Sequence, residues 1–290
     1  MDPRPLPPVL RGEAFTILGG TVGGVSKSRM LRDDLARPTY GVRRDGPPST
    51  LTELATATAL ALPPDVAFSH ATAAGLLNLP LPSEVGAPLH VMRTSGRNRI
   101  RRAGCVGHLG LERRELLIQS GLTLVSPADT WADLADLPLD DLVVLGDAIA
   151  SRGASTDPLV KAVARRGRVP HRSRSALSLV RVGSASPMES RSRLVFIRAG
   201  LPEPELNAAV TDDGDEWIAT GDFVWRRRRV MAEYQGEYHF ADFDQGDRDI
   251  TRRLLAQDHD WRYVEITKRD IFETVRRRAM IQRLRRLLMD

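Results

Sequence analysis

The chain has 290 residues, a formal net charge of +5 and far more arginine than lysine, which puts its pI near 9.8. That length predicts two or three domains with ample core. Cys105, the single cysteine, excludes an internal disulfide and a cysteine-based zinc cluster, and no stretch approaches the ~20 apolar residues of a membrane helix. The proline-rich opening residues lack a signal-peptide core. With the lone thiol, they point to a cytoplasmic protein with no membrane partner. An arginine-rich surface suits phosphate contact; a GC-rich genome that favours arginine codons produces the same bias.

In chain order, residues 8–18 pattern as a short helix that breaks at the glycines between Gly19 and Gly24. Ser26 caps a second helix running through Arg29, Arg32 and Leu35, and residues 38–44 read as a turn and a short strand. Helix, glycine-rich turn, capped helix and a Tyr40-Gly41-Val42 wing is the order of a winged helix-turn-helix. In such a unit Lys27, Arg29 and Arg32 face DNA, and Arg43 and Arg44 sit on the wing. The plainer alternative is that these cations solvate a short surface helix.

Helices are predicted over 51–62, over 68–77 with Ser69 as N-cap, over 127–135 with Pro127 in the first turn, and over 140–150. Strands are predicted at Leu89–Met92, Val106–Leu109 and Leu122–Val125, with a basic loop from Gly96 to Arg102. Residues 153–185, rich in Arg, Gly and Ser, read as a basic linker that presents charge to a phosphate backbone or is simply solvated. The histidines are scattered with no i,i+4 pair, so no histidine-based zinc site is expected.

Beyond the linker, Ser186–Arg198 patterns as an amphipathic helix with Glu189 in its first turn. A carboxylate there is favoured by the helix dipole, so Glu189 reads either as a cap or as a site acid. Gly221–Trp225 and Met231–Gly236 form a hairpin around Arg226–Arg229. It carries Asp222 and Glu233 where a plain core hairpin carries apolar residues. Paired carboxylates on adjacent strands repel unless a cation lies between them, and oxygen ligands of this kind suit Mg²⁺. Pairing with the turn arginines is the competing reading.

Asp222, then Glu233-x-Gln235 on the next strand, resembles the PD-(D/E)XK nuclease core. Ser186-Pro187-Met188-Glu189, Gly236, His239, Asp249, Arg252 and Trp261–Thr267 narrow the likeness to very-short-patch-repair-like (Vsr-like) endonuclease domains, over about the last third of the chain. The resemblance implies phosphodiester hydrolysis with Mg²⁺ or Mn²⁺ held by Asp222 and Glu233. Glu189, Gln235 and His239 complete the site, and Asp249 and Arg252 point toward it. Gln235 departs from the usual Lys or Asp.

A second resemblance covers roughly residues 12–150. Gly24-Val25-Ser26, Ser69-His70-x-x-Ala73, His90-Val91 and Thr123-x-Val125-Ser126-Pro127-Ala128-x-Thr130-x-x-Asp133 are similar in order to AbiEi-like antitoxin regulators. That implies DNA and a toxin as partners. The expected architecture is α/β (α+β overall). It comprises a winged helix over 1–50, an α+β middle domain over 51–152, the linker over 153–185, and a restriction-endonuclease-like mixed sheet flanked by helices over 186–290. Two functions follow: a metal-dependent DNA endonuclease, or a non-enzymatic DNA-binding regulator with a degenerate nuclease domain.

Overall fold

The computed structural model describes residues 5–83, 88–166, 170–236, 254 and 258–289. His239, Asp249 and Arg252 therefore lie outside the described residues. The described residues are mixed α/β and form three sheets in two compact units. The first holds Met1–Leu137 and Leu159–Ser173; the second holds Pro138–Pro158 and Arg174–Asp290. Among the described residues no helix is long and apolar enough to cross a membrane.

The first unit opens with strand β1 (Ala14–Thr16), helices Ile17–Val22 and Lys27–Met30, then β2 (Leu35–Ala36) and β3 (Val42–Asp45), in sheet order β1-β3-β2. The helix expected over residues 8–18 is not formed: Pro8–Leu10 make a single 3-10 turn, Ala14–Thr16 are a strand, and the first α-helix starts at Ile17 and runs through Gly19 and Gly20 instead of breaking there. The Thr16 hydroxyl accepts from the Gly19 amide and starts the helix. A Cβ at Gly20 would stand 2.7 Å from Met30 Sδ and 2.8 Å from the Phe15 ring. The glycine lets the helix press onto that small core of Phe15, Val25, Met30 and Leu35. Ser26 caps the second helix as expected, accepting from the Arg29 amide.

Five further strands follow: β4 (Ala67–Phe68), β5 (Leu89–Arg93), β6 (Cys105–Leu109), β7 (Leu116–Gln119) and β8 (Leu122–Val125). They form a sheet in the order β6-β5-β4-β8-β7. Strand β7 has no counterpart in the sequence reading: Leu116-Leu117-Ile118 is a short apolar run without alternation, which periodicity alone does not assign, and its side chains are largely exposed. In β6, Gly107 lies against the backbone of Ile100. An added Cβ would sit 2.8 Å from the Ile100 amide nitrogen and closer still to its carbonyl oxygen. Gly107→Ala should therefore destabilise this unit beyond the about 1–3 kcal/mol typical of overpacking, because backbone cannot swing aside as a side chain does. A thermal melt checks this, and a midpoint within 1 °C or so of the parent would mean that the loop yields freely.

Residues 153–185 are not an open linker. They contain helices Asp157–Arg165 and His171–Leu179, with Leu159, Ala162 and Ala176 fully buried. Within the first unit, Arg165 reaches Asp129 and Glu115, both at 2.8 Å, and Arg166 pairs with Asp133. Much of the basic charge read as a phosphate-binding surface is spent internally.

In the second unit β9 (Glu205–Thr211), β10 (Trp217–Trp225), β11 (Val230–Gln235) and β12 (Arg262–Thr267) form a mixed sheet in the order β12-β11-β10-β9. β9, β10 and β11 are antiparallel neighbours, and β12 runs parallel to β11. One face packs Phe223, Trp225, Val230, Ala232, Val264 and Ile266 against Phe196 of helix Pro187–Arg198 and Leu284 and Leu288 of the C-terminal helix Thr274–Met289. Helix Leu139–Gly153 belongs to this unit too. Its Asp147 pairs at 2.9 Å with Arg193, and neither side chain is exposed.

Candidate functional site

The strand register brings Asp222 and Glu233 together. Phe223 stands opposite Ala232 and Val224 opposite Met231, so one step further along the antiparallel pair Asp222 faces Glu233. The ladder ends at Phe223, and Asp222 Oδ2 accepts from the Tyr234 amide at 2.8 Å. The carboxylate thus replaces a strand carbonyl where the two strands part. Glu233 is buried, and its Oε2 accepts from the Tyr263 hydroxyl at 2.8 Å. Gln235 Nε2 donates to the same hydroxyl oxygen at 3.3 Å. Burial and the Glu233 carboxylate both push the Tyr263 phenol up, so it stays protonated and donating.

Glu189 reaches the same region from helix Pro187–Arg198. Ser186 caps that helix by accepting from the Glu189 amide, and Glu189 Oε2 accepts from the Ala185 amide at 2.8 Å. The cap reading of Glu189 is therefore correct as far as it goes. The same oxygen also accepts from Asn207 Nδ2 at 2.6 Å. In the β9–β10 register Ala208 faces Gly221 and Leu206 faces Phe223, which makes Asn207 the cross-strand neighbour of Asp222. Asn207 has φ +45°, a left-handed conformation that asparagine tolerates better than most residues. Glu189, Asn207, Asp222 and Glu233 thus form a connected row at the point where β10 and β11 diverge. Glu189, Asp222 and Glu233 do not close into a group of three ligand atoms within 4.8 Å of one another.

The DNA-facing residues expected in the first unit divide. Lys27 and Arg32 are exposed. Arg29 is half-buried and holds Asp34 bidentately, at 2.9 and 2.8 Å. Arg44 pairs with Glu53 at 3.0 Å. Arg43 is a correction: it is buried, with Nε donating to Met30 O at 2.7 Å and Nη1 to Val42 O at 2.9 Å. It ties β3 to the helix Lys27–Met30, and burial holds its pKa down.

A histidine cluster appears where none was expected. His70, His90 and His108 offer ligand atoms that all lie within 4.8 Å of one another. They are the one such group of three among the described residues. Ser69 donates its amide to His90 O, extending the β4–β5 ladder to the residue before His70. In the parallel β5–β6 ladder His90 faces Val106 and Met92 faces His108, so His90 and His108 are diagonal neighbours. His90 Nδ1 and His108 Nε2 are 3.0 Å apart, and the His70 ring stacks on His108 with centroids 3.7 Å apart. Burial pushes His70 down to about 3, helped by the other two imidazoles and by Arg166 and Arg114. Burial lowers His90 and His108 too, so all three rings are neutral at pH 7. Helical i,i+4 spacing, the signal sought in the sequence, could not find residues gathered by neighbouring strands.

No protein-family model matches the chain. Two uncharacterized proteins of Mycobacterium tuberculosis, from strains CDC 1551 / Oshkosh and ATCC 25618 / H37Rv, are each 35% identical to it over 135 residues. The match covers 45% of this chain and 48% of each relative. The chain thus spans about half the length of the curated relatives it matches.

Proposed function

We propose that the protein is a DNA-binding, metal-dependent endonuclease of the Vsr-like PD-(D/E)XK kind, with its hydrolytic site on the second unit. The observation that carries this reading is the strand fork. Asp222 and Glu233 are cross-strand neighbours where β10 and β11 part, and Glu189 is joined to the position beside Asp222 through Asn207. Two hard carboxylates at cross-strand spacing, ~5 Å between Cβ atoms, fit the oxygen chemistry of Mg²⁺ or Mn²⁺. Such an ion, when bound, would polarise a phosphate oxygen and acidify a water. The protein's own part is placement. The Tyr234 amide orients Asp222, the Tyr263 hydroxyl orients Glu233, and Gln235 braces Tyr263. The exposed Lys27 and Arg32 on the first unit would contact duplex phosphates, while Arg29 is held by Asp34.

Gln235 favours a second reading. It stands where the usual Lys would act, and an amide cannot supply a charged donor. A fork without that cation suits a DNA-binding regulator of the antitoxin type, with a toxin as its partner. Nicking of supercoiled plasmid by the full chain separates the two. Conversion to open circles is expected with Mg²⁺ or Mn²⁺, none with EDTA, and none with Asp222→Asn. If the parent leaves plasmid intact in both metals while still shifting DNA in a gel, the endonuclease reading fails and the regulator stands.

A further inference from the structure

We propose that His70, His90 and His108 form a transition-metal site of the Zn²⁺ class in the first unit, separate from the carboxylate fork. The argument begins with geometry. In a tetrahedral site with Zn–N of about 2.0–2.1 Å, neighbouring nitrogens stand ~3.3 Å apart. The His90 Nδ1 to His108 Nε2 distance of 3.0 Å is already near that edge, and the third imidazole lies within 4.8 Å. The rings now lie stacked, His70 on His108 at 19° and His90 to His108 at 14°, so binding would require the imidazoles to turn about χ1 and χ2 on their fixed backbones until the three nitrogens aim at one point.

The backbones are well fixed. His90 and His108 sit inside paired strands. The His90 amide donates to Thr72 Oγ1 at 2.8 Å. His70, at the start of helix His70–Leu76, holds a left-handed φ of +50°, which is uncommon outside glycine and calls for a local reason. Its Nδ1 lies 3.1 Å from Ser69 Oγ. A second partner of that kind selects the tautomer of a ligating imidazole and leaves Nε2 for the metal. Ser69 accordingly makes no side-chain cap to the helix it precedes.

The chemistry also fits. Three neutral imidazoles are soft enough for Zn²⁺, Co²⁺ or Ni²⁺ and poorly suited to Mg²⁺. Three histidines leave a fourth position for water or an anion. Arg114 and Arg166 lower the His70 pKa through their charge, and they would favour an anion there. A merely packed histidine stack is the competing account. It explains the 3.0 Å contact as one shared proton but gives no reason for the strained His70.

The test uses the full chain, stripped with chelator and titrated with Zn²⁺ and with Co²⁺ as a spectroscopic probe. One equivalent should bind per chain, with a visible Co²⁺ band, and excess Mg²⁺ should not displace it. His90→Gln, His108→Gln and His70→Asn, the last chosen because Asn tolerates the positive φ, should each weaken binding. The loss should exceed the about 10–100-fold worth of an outer partner. Asp222→Asn should bind like the parent, which separates this site from the endonuclease reading. Should a variant fail to fold, imidazole NMR resonances of the parent provide the second measurement: three histidines should shift together at one equivalent. Absence of stoichiometric binding by the folded parent would overturn the proposal. So would His variants that bind as tightly as it does.

Discussion

Replacing Asp147 with Ala is expected to destabilise the second unit by about 3–5 kcal/mol, the usual result of stranding one member of a buried ion pair. Asp147 and Arg193 are both fully inaccessible and meet at 2.9 Å. Asp147 also accepts from the Arg181 amide at 2.8 Å, and Arg193 donates to Leu179 O at 2.7 Å and to Glu203. Burial raises the Asp147 pKa even against the pull of Arg193. Desolvation therefore outweighs attraction at that carboxyl, and the pair is not itself a large source of stability. Removing one partner is a different matter, because a guanidinium would remain in a dry interior without its counter-ion. The double variant Asp147→Leu with Arg193→Met should recover most of the loss, since apolar replacement of a whole buried pair is often neutral. Urea unfolding of the parent, the single variant and the double variant measures all three. A single variant within 1 kcal/mol or so of the parent would show that water reaches the pair.

Glu233→Gln should abolish metal-dependent cleavage while leaving the fold intact. Its side-chain carbonyl can still accept from the Tyr263 hydroxyl, which now holds Glu233 at 2.8 Å, so the hydrogen bond survives and only charge is lost. A fall of at least about 100-fold in nicking rate is expected, because even outer partners of a metal are worth about 10–100-fold. Gln235→Lys should keep or raise activity. Gln235 shares the Tyr263 hydroxyl with Glu233, so an ammonium there would stand beside the site and supply the cation that the amide lacks. Rates in Mn²⁺, together with melting temperatures, check both variants. Should Glu233→Gln melt several degrees lower and cut like the parent, Glu233 would be a structural acid tied to Tyr263, and the metal assignment would fall.

Local pattern was enough for much of the second unit. The Arg226–Arg229 turn, the two strands around it and the helix from Ser186 with Glu189 in its first turn follow from alternation, capping and turn chemistry. The cross-strand relation of Asp222 and Glu233 also followed, because a hairpin with a short turn leaves one register for its arms. In the first unit the Ser26-capped helix and strands β5, β6 and β8 were legible for the same reasons. What local pattern could not convey was anything that needs two distant segments at once. Gly19 and Gly20 read as a helix break because propensity disfavours glycine; packing against Phe15 and Met30 requires the glycine at 20 instead. Arg43 reads as a surface cation until the Met30 carbonyl, thirteen residues away, is found to accept from it. Residues 153–185 look like a solvated linker because their short apolar runs, such as Leu159-Val160 and Ala176-Leu177, stand beside arginine-rich stretches; the partners of Arg165, Arg166 and the Arg181 amide are Asp129, Asp133 and Asp147, distant in the sequence. The histidine cluster is the sharpest case. Its members stand 20 and 18 residues apart in the sequence, and only the ordering of β4, β5 and β6 in one sheet brings their rings together. Strand order is a property of the whole core, set by which faces can be buried together, and no local spacing encodes it.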